Sequence, residues 1–216
     1  MIISPGRSYI FVHIPKTGGT ALTLALEARA MKDDILIGDT PKARARRGRL
    51  VGLTPAGRLW KHARLADVEG VVERADFERF LIVTLVRNPW DRMVSYYHWL
   101  RDQRFDHPAV RLAQVCGFSA FLNAPATQAA FLASPVDHYL TDGSGRVHDA
   151  LYIRLEHLEA DLVPFAAHLG FRPQVPRVNQ SMRPTDWRSL YSDADAGVVA
   201  RICAKDIARF GYQFDP

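Results

Sequence analysis

Residues 9–20 read YIFVHIPKTGGT, and the fold prediction starts from them. Residues 9–14 are apolar, with β-branched and aromatic side chains, which favours a buried strand. Pro15 comes next, and two glycines then favour a tight turn. The following residues 20–30, TALTLALEARA, are rich in Ala, Leu and Glu, which favours a helix. We therefore predict a strand, a tight loop and a helix in succession.

A second unit of the same kind starts at residue 80. Residues 80–86, FLIVTLV, form an apolar run with the length of a buried strand. Pro89 suits the first position of the helix predicted from WDRMVSYYHWL, and Asp91 suits its positive N-terminal end. Strands that alternate with helices predict an α/β fold with a central parallel sheet flanked by helices. Weaker strand candidates are 35–37, 50–53 and 150–154.

Helix start and stop signals mark the last third of the chain. Gly170 ends a helical pattern that follows residue 154. Ser192, with Asp195 three residues later, resembles a capping box. We therefore expect helical structure from there up to Gly211. The apolar residues that recur at helical spacing in this stretch are Val199, Cys203, Ile207 and Phe210.

The length and composition fit one domain. Of the 216 residues, 48% are hydrophobic, enough to bury a sizeable core, so we predict a single domain over 1–216. The net charge of +5 and the pI near 9.4 either favour anionic ligands or are those of an ordinary basic protein. We predict no nucleic-acid partner.

Cysteine usage and hydropathy bear on metals and membranes. Cys116 and Cys203 follow no CxxC or Cys/His spacing, so we predict neither a disulfide framework nor a metal site. No apolar run approaches the roughly 20 residues that span a bilayer, and no cleavable leader is evident. We therefore expect a cytoplasmic protein without a transmembrane segment. Its oligomeric state stays open.

Two further segments carry less information. Residues 42–49, KARARRGR, hold five basic residues and no acidic one. They form either a solvated loop or a site for an acidic acceptor. Residues 173–187 include three prolines and predict an ordered loop.

The loop in HIPKTGGT has the features of a phosphate site. A loop between a buried strand and a helix presents unpaired amides and the positive end of the helix dipole to an anion. Gly18 and Gly19 carry no Cβ, so the backbone there can approach an anion closely. Thr17 and Thr20 add hydroxyl donors, and Lys16 adds a positive charge. The alternative is a glycine-rich turn with an exposed lysine.

The order of residues in this loop argues against an ordinary ATP or GTP enzyme. In a Walker A loop, GxxxxGK[ST], the lysine follows the glycines, whereas Lys16 precedes them. The sequence also shows no convincing apolar strand that ends in a magnesium-binding aspartate.

Two segments, HIPKTGGT and LVRNPWDRMVSYYH, resemble the nucleotide-binding signatures of the carbohydrate-type (family 2) sulfotransferases. This family includes heparan and chondroitin sulfotransferases and bacterial relatives. The resemblance extends through KHARLADV, YIRLEHLEADL, VNQSMR and DIARFGYQF, so it covers most of the chain. It implies a P-loop-like three-layer fold, 3′-phosphoadenosine 5′-phosphosulfate (PAPS) as sulfuryl donor, and no metal.

The resemblance also implies which residues bind the donor. Arg87 and Ser95 would bind the 3′-phosphate, and Ser181 and Arg183 would contact the donor from the loop VNQSMR. The residues that would hold the 5′-phosphosulfate are Lys16, Thr17, Gly18, Gly19 and Thr20.

Physical reasoning agrees with the assignment of Arg87 and Ser95. Arg87 follows a predicted parallel strand, at the edge where such sheets bind ligands, and a guanidinium matches phosphate oxygens. Ser95 lies about two turns into the next helix, close enough to share that anion. The alternatives are a salt bridge for Arg87 and, for Ser95, a hydroxyl bonded back to the carbonyl of Asp91. Trp90, Asp91 and Arg92 are expected to fix the turn and to pack.

The predicted catalytic residues are Lys16 and His62. Sulfuryl transfer needs a base for the attacking hydroxyl, and histidine serves best near neutral pH. His62 lies in KHARLADV, which resembles the family segment that supplies this base, and a helix after it would favour the neutral imidazole. Lys61 and His62 are expected to contact the acceptor. A surface histidine is the alternative, and any of the other seven histidines could replace His62 if the fold brings it to the phosphosulfate.

These residues predict a PAPS-dependent sulfotransferase that acts on a hydroxyl acceptor, which the resemblance implies is a carbohydrate or glycoconjugate. The alternatives are a P-loop nucleotide kinase and a noncatalytic nucleotide-binding module. The sequence does not name the acceptor, since a polysaccharide, a glycolipid, a small metabolite or a protein tyrosine would leave the motifs unchanged.

Overall fold

The computed structural model describes residues 1–176, 178 and 183–215, and it divides into two compact units. The first, which we call the sheet unit, comprises Met1–Val86 and Val136–Val178. The second, which we call the helical unit, comprises Arg87–Pro135 and Asn179–Pro216. The single domain expected over 1–216 stays a prediction.

The sheet unit contains a mixed sheet of five strands, in the order β3-β1-β2-β4-β5. The strands are β1 (Ile2–Ser4), β2 (Tyr9–Val12), β3 (Ile35–Leu36), β4 (Leu81–Val86) and β5 (Leu151–Arg154). The predictions at 9–14, 35–37, 80–86 and 150–154 are confirmed, although each observed strand is one or two residues shorter.

The prediction of a purely parallel sheet is wrong, because β1 runs antiparallel to both of its neighbours, β2 and β3. A 3-10 helix at Pro5–Arg7, followed by Ser8 with a φ of 52°, reverses the chain so that Ser4 pairs with Tyr9. So short a connection can join only antiparallel strands. The pairs β2–β4 and β4–β5 are parallel, as predicted.

Helices flank the sheet within the sheet unit, and further helices form the helical unit. In chain order they are α1 (Gly19–Ala28), α2 (Pro41–Ala45), α3 (Leu65–Val68), α4 (Arg74–Arg79), α5 (Pro89–Arg101), α6 (Pro108–Val115), α7 (Phe118–Asn123), α8 (Pro125–Leu132), α9 (Val136–Leu140), α10 (Leu158–Asp161), α11 (Val163–Leu169), α12 (Asp193–Ile202) and α13 (Ala204–Phe210). Further 3-10 helices are Arg47–Leu50, Leu155–His157 and Trp187–Leu190. No helix in the described part of the chain is long and apolar enough to cross a membrane.

The core of the sheet unit lies between strands and helices of that unit. Phe11 of β2, Leu22 of α1 and Phe165 of α11 are fully buried members of one apolar cluster. The rings of Tyr9 and Phe165 meet edge to face, with their centroids 5.3 Å apart. Each such side chain contributes roughly 1.5–3 kcal/mol through burial. This cluster holds α1, and with it the loop that precedes α1, on the sheet.

The basic segment 42–49 is largely exposed, as the solvated-loop alternative expects, but it is mostly helical and not a loop. The hydroxyl of Thr40 accepts a hydrogen bond from the amide of Ala43 at 3.1 Å and caps α2. Pro41 occupies the first turn, where its missing amide hydrogen costs nothing. The 3-10 helix Arg47–Leu50 then follows.

The strand predicted at 50–53 is also wrong. Leu50 ends a 3-10 helix, and Gly52 has a φ of 88°, in the left-handed region that extended strands do not use. Val51 is 82% exposed, so the apolar side chain that suggested a strand is not part of the core.

The helical unit has an aromatic core of its own. Trp90 and Tyr97 of α5 and Phe121 of α7 are buried in it. Pro89 begins α5 as predicted, and the side chain of Asn88 accepts a hydrogen bond from the Trp90 amide at 3.1 Å.

The start signal predicted at Ser192 is confirmed. Its hydroxyl accepts a hydrogen bond from the amide of Asp195 at 3.1 Å and donates one to the Asp195 carboxylate at 2.9 Å. The same carboxylate accepts from Ser119 at 3.0 Å and from Asn123 at 2.7 Å. The predicted helical stretch is interrupted at Cys203, which separates α12 from α13.

We predict that Ser192→Ala lowers the free energy of unfolding by about 1 kcal/mol, because the first turn of α12 loses its cap. Chemical denaturation followed by circular dichroism measures the change. Ser192→Thr keeps a hydroxyl that can accept from the Asp195 amide and donate to the Asp195 carboxylate, so it should recover most of the loss. Equal destabilisation by both variants would contradict a capping role.

Candidate functional site

The predicted phosphate loop follows β2 directly. Strand β2 ends at Val12, and α1 begins at Gly19 with Gly18 as its N-terminal cap. Because β2, β4 and β5 are parallel, their carboxyl ends share one edge of the sheet, where parallel sheets bind ligands. The loop therefore lies at the edge where an anion site is expected.

The two glycines of the loop are required by their protein neighbours. Gly18 has a φ of 87°, and a Cβ there would lie 2.8 Å from Cδ1 of Leu155. A Cβ at Gly19 would lie 2.9 Å from Cγ of His13 and closer still to Cδ2 and Nε2 of that ring. The sequence predicted close approach to an anion, whereas the Cβ direction of each glycine faces a side chain of the sheet unit.

Lys16 and Thr17 set the path of the loop. Lys16 has a φ of 65°, a conformation that costs a residue with a Cβ about 1–2 kcal/mol. Strain of this kind tends to occur at functional sites. The Thr17 hydroxyl donates a hydrogen bond to the carbonyl of Ile14 at 2.9 Å, so its proton is used within the loop. A bound anion would therefore meet the backbone of Thr17 and not its hydroxyl.

The first turn of α1 offers donors to an anion. Its leading amides have no intrahelical acceptor, and the helix dipole is positive at this end. Among the described residues, no hydrogen bond occupies the amides of Gly18, Gly19 and Thr20. Helix starts of this kind bind phosphate and sulfate groups.

His62 lies against this loop. Its Nδ1 is 2.7 Å from the carbonyl oxygen of His13, and the centroids of the two imidazoles are 4.7 Å apart. A carbonyl only accepts hydrogen bonds, so Nδ1 carries the proton and Nε2 keeps its lone pair. The structure therefore brings His62 to the predicted phosphate loop in the tautomer that a proton acceptor needs.

Burial keeps both imidazoles neutral at pH 7. It lowers the pKa of His62 to about 4, from an ordinary value of 6.5. The bond to the His13 carbonyl opposes this shift, and the charge of Lys61 adds to it. Burial likewise holds the pKa of His13 well below its ordinary range. The helix predicted after His62 exists as α3, but it has only four residues. The main cause of the low pKa of His62 is therefore burial and not a helix dipole.

The neighbours of His62 in sequence are held in defined positions. Lys61 forms an ion pair with Asp39, with Nζ and Oδ2 2.9 Å apart. Trp60 is 42% exposed, and the centroids of its ring and of His62 are 5.1 Å apart. At the start of α3, the Asp67 carboxylate accepts hydrogen bonds from the amide of Arg64 at 2.8 Å and from its guanidinium. The sequence named Lys61 but not Trp60 or Asp39, because exposure and long-range pairing cannot be read from local spacing.

In the helical unit, Arg87 and Arg183 share one carboxylate. The Nε and Nη2 atoms of Arg87 lie 2.8 Å and 2.7 Å from Oδ2 of Asp91, and Arg183 contacts Oδ1 of the same residue. The salt bridge considered for Arg87 is therefore present. Two guanidinium groups against one carboxylate leave this cluster with a positive charge, which favours an anion.

Ser95 lies beside this cluster. It is four residues after Asp91 in α5, so the two side chains project from the same face of the helix. Ser95 is buried, and among the described residues its hydroxyl makes no hydrogen bond to the Asp91 carbonyl. Ser181, the other predicted donor contact, lies outside the described residues.

Of the eight histidines, the described contacts bring two, His13 and His62, to the loop.

A cavity of about 420 Å³ lies where β4 and β5 begin, lined in part by Leu81, Arg146 and His148. No predicted site residue lines it, and it lies at the amino ends of parallel strands. The loop after β2 is therefore the better candidate site.

The chain matches no protein-family model and no curated protein. In the described part of the chain, no group of three or more His, Cys, Asp or Glu residues is arranged to hold a metal ion.

We predict that Gly19→Ala destabilises the protein by about 1–3 kcal/mol, because the new methyl group would overlap the buried ring of His13. Denaturant unfolding measures the loss. Gly48→Ala is the matched control, since a Cβ there has no neighbour within 4 Å. A Gly19→Ala protein as stable as the control would contradict this packing.

We predict that stability falls as the pH drops from 6.5 towards 4. In this window the unfolded chain binds a proton at His62 that the folded protein does not, so acid favours unfolding. The shift corresponds to at most about 3 kcal/mol for this residue. Unfolding free energies measured at several pH values should fall less steeply for His62→Gln. Equal slopes for both proteins would contradict a buried neutral His62.

Proposed function

We propose that this protein is a PAPS-dependent sulfotransferase with a P-loop-like three-layer fold, which transfers a sulfuryl group to a hydroxyl acceptor. One observation carries the proposal. His62 donates its Nδ1 proton to the carbonyl of His13, inside a loop whose following helix begins with amides that make no hydrogen bond to any described residue. A general base and an anion site thus lie within one short segment of structure.

The donor set suits a phosphosulfate. The side chain of Lys16 and the backbone from Thr17 to Thr20 would hold the 5′-phosphosulfate. Charge-assisted hydrogen bonds from a lysine and from helix amides are strong and favour an anionic group with several oxygens. The left-handed backbone of Lys16 supports a functional role, because the fold maintains it against its conformational cost.

The positive cluster of the helical unit suits the second anion of the donor. Arg87 and Arg183, held by Asp91, would bind the 3′-phosphate together with the hydroxyl of Ser95. Arginine presents a planar fork of donors that matches phosphate oxygens. Ser181, which the resemblance also implies, remains part of the proposal.

The proposed reaction is an in-line displacement at sulfur. Nε2 of His62 takes the proton of the acceptor hydroxyl as the oxygen attacks, and an oxygen–sulfur bond forms. The bond from sulfur to the 5′-phosphate oxygen breaks, and its electron pair stays on that oxygen. Lys16 and the amides of α1 stabilise this charge. The products are a sulfate ester and adenosine 3′,5′-bisphosphate, with the proton on His62.

The low pKa of His62 fits this role. With a pKa of about 4, the free imidazole is unprotonated and ready to accept a proton at pH 7. A nearby anion raises the pKa of an imidazole, so bound phosphosulfate would strengthen the base where the proton is transferred.

We predict that Lys16→Ala and Lys16→Gly each lose most turnover, by roughly 100-fold or more, because the charge on the departing oxygen loses its partner. Transfer from labelled PAPS to a panel of saccharides and simple alcohols measures this. Lys16→Gly should be more stable than Lys16→Ala by about 1 kcal/mol, because glycine accepts a φ of 65° without strain.

Exposed Lys32 gives a matched control, and Lys32→Ala should keep full turnover. Full activity in Lys16→Ala would contradict the assigned role. Tight binding of adenosine 3′,5′-bisphosphate without transfer would favour a noncatalytic module. Turnover that requires ATP and magnesium would favour a kinase.

A further inference from the structure

An exposed tryptophan stands next to the proposed base. Trp60 is 42% exposed, and its ring is nearly perpendicular to that of His62, with the centroids 5.1 Å apart. An indole has a large apolar surface that is rarely left in water without a partner. The guanidinium of exposed Arg58 lies 5.6 Å from the indole centroid.

Backbone hydrogen bonds order the turn that carries Trp60. The carbonyl of Trp60 accepts a hydrogen bond from the amide of Ala63 at 3.0 Å, so Trp60 and His62 share one tight turn. The preceding loop is bonded to α3 and its C-terminal end, from Ala56 to Glu69 at 2.8 Å and from Gly57 to Asp67 at 3.0 Å. A rigid exposed aromatic ring binds at a low entropic cost.

A polar pair completes the surroundings. Lys61 and Asp39 are paired at 2.9 Å, and Lys61 lies between Trp60 and His62 in the chain. A carboxylate accepts hydrogen bonds and an ammonium group donates them, so the pair can bind a hydroxyl group in both senses. A phenol would use its one hydroxyl at His62, whereas a sugar has further hydroxyls for this pair.

We propose that Trp60 is the platform on which the ring of a saccharide acceptor stacks, while Asp39 and Lys61 bind a neighbouring hydroxyl of that ring. The apolar C–H face of the sugar covers the indole, and one hydroxyl faces Nε2 of His62. This inference rests on the proposed sulfotransferase function, and it adds Trp60 and Asp39, which the motifs do not contain, to the acceptor contact expected of Lys61.

The test compares wild type with Trp60→Ala and Trp60→Phe. Steady-state transfer from PAPS is measured on methyl glycosides, oligosaccharides and p-nitrophenol, and calorimetry measures binding of adenosine 3′,5′-bisphosphate. For saccharides, Trp60→Ala should raise the KM about tenfold with little change in kcat, and Trp60→Phe should raise it less. Nucleotide affinity should stay at the wild-type value, because Trp60 is not among the residues proposed to hold the nucleotide.

Phe105→Ala is the matched control, since Phe105 is also an exposed aromatic residue, in the helical unit. It should leave the KM for saccharides unchanged. Saturation-transfer NMR with the same glycosides, recorded without donor, should show binding that Trp60→Ala abolishes. That measurement does not depend on turnover.

The outcomes separate the two proposals. An unchanged KM and unchanged glycoside binding in Trp60→Ala would overturn the platform alone. Turnover of p-nitrophenol but of no saccharide would overturn the saccharide assignment and favour a phenolic acceptor. A wild-type protein that neither binds adenosine 3′,5′-bisphosphate nor turns over PAPS would overturn the sulfotransferase proposal, and the acceptor role with it.

Discussion

The candidate site depends on the burial of His13. The ring of His13 fills the space that a Cβ at Gly19 would need, and its carbonyl accepts the Nδ1 proton of His62. One residue thus sets both the start of α1 and the tautomer of the proposed base. Burial requires that the imidazole be neutral, so the integrity of the loop and the protonation of the site are linked.

The sheet presents the loop at the edge formed by the carboxyl ends of its parallel strands. The parallel strands β2, β4 and β5 end together, and Leu155, just after β5, packs beneath Gly18. The antiparallel β1 lies on the other side of β2 and therefore leaves this edge unchanged. The mixed character of the sheet thus corrects the predicted topology without altering where the site lies.

In the helical unit, the carboxylate of Asp91 contacts both Arg87 and Arg183. Arg87 and Arg183 were each predicted from the sequence as donor contacts, but Asp91, which holds both, was expected only to fix a turn. A shared carboxylate orients two flexible guanidinium groups and reduces their mutual repulsion. The sequence could not reveal this, because Arg183 and Asp91 are 92 positions apart.

The sequence by itself determined the elements with strong local signals: the strands β2 and β4, the loop with its two glycines, and helix starts such as Pro89 and Ser192. It also named His62, which the structure places against the loop. Only the tertiary structure decided that β1 pairs antiparallel to β2, that Gly52 breaks the predicted strand, and that Trp60 stays exposed beside the base. Propensity and periodicity act over neighbouring residues, whereas pairing direction, burial and ion pairs depend on chain segments that meet only in the folded protein.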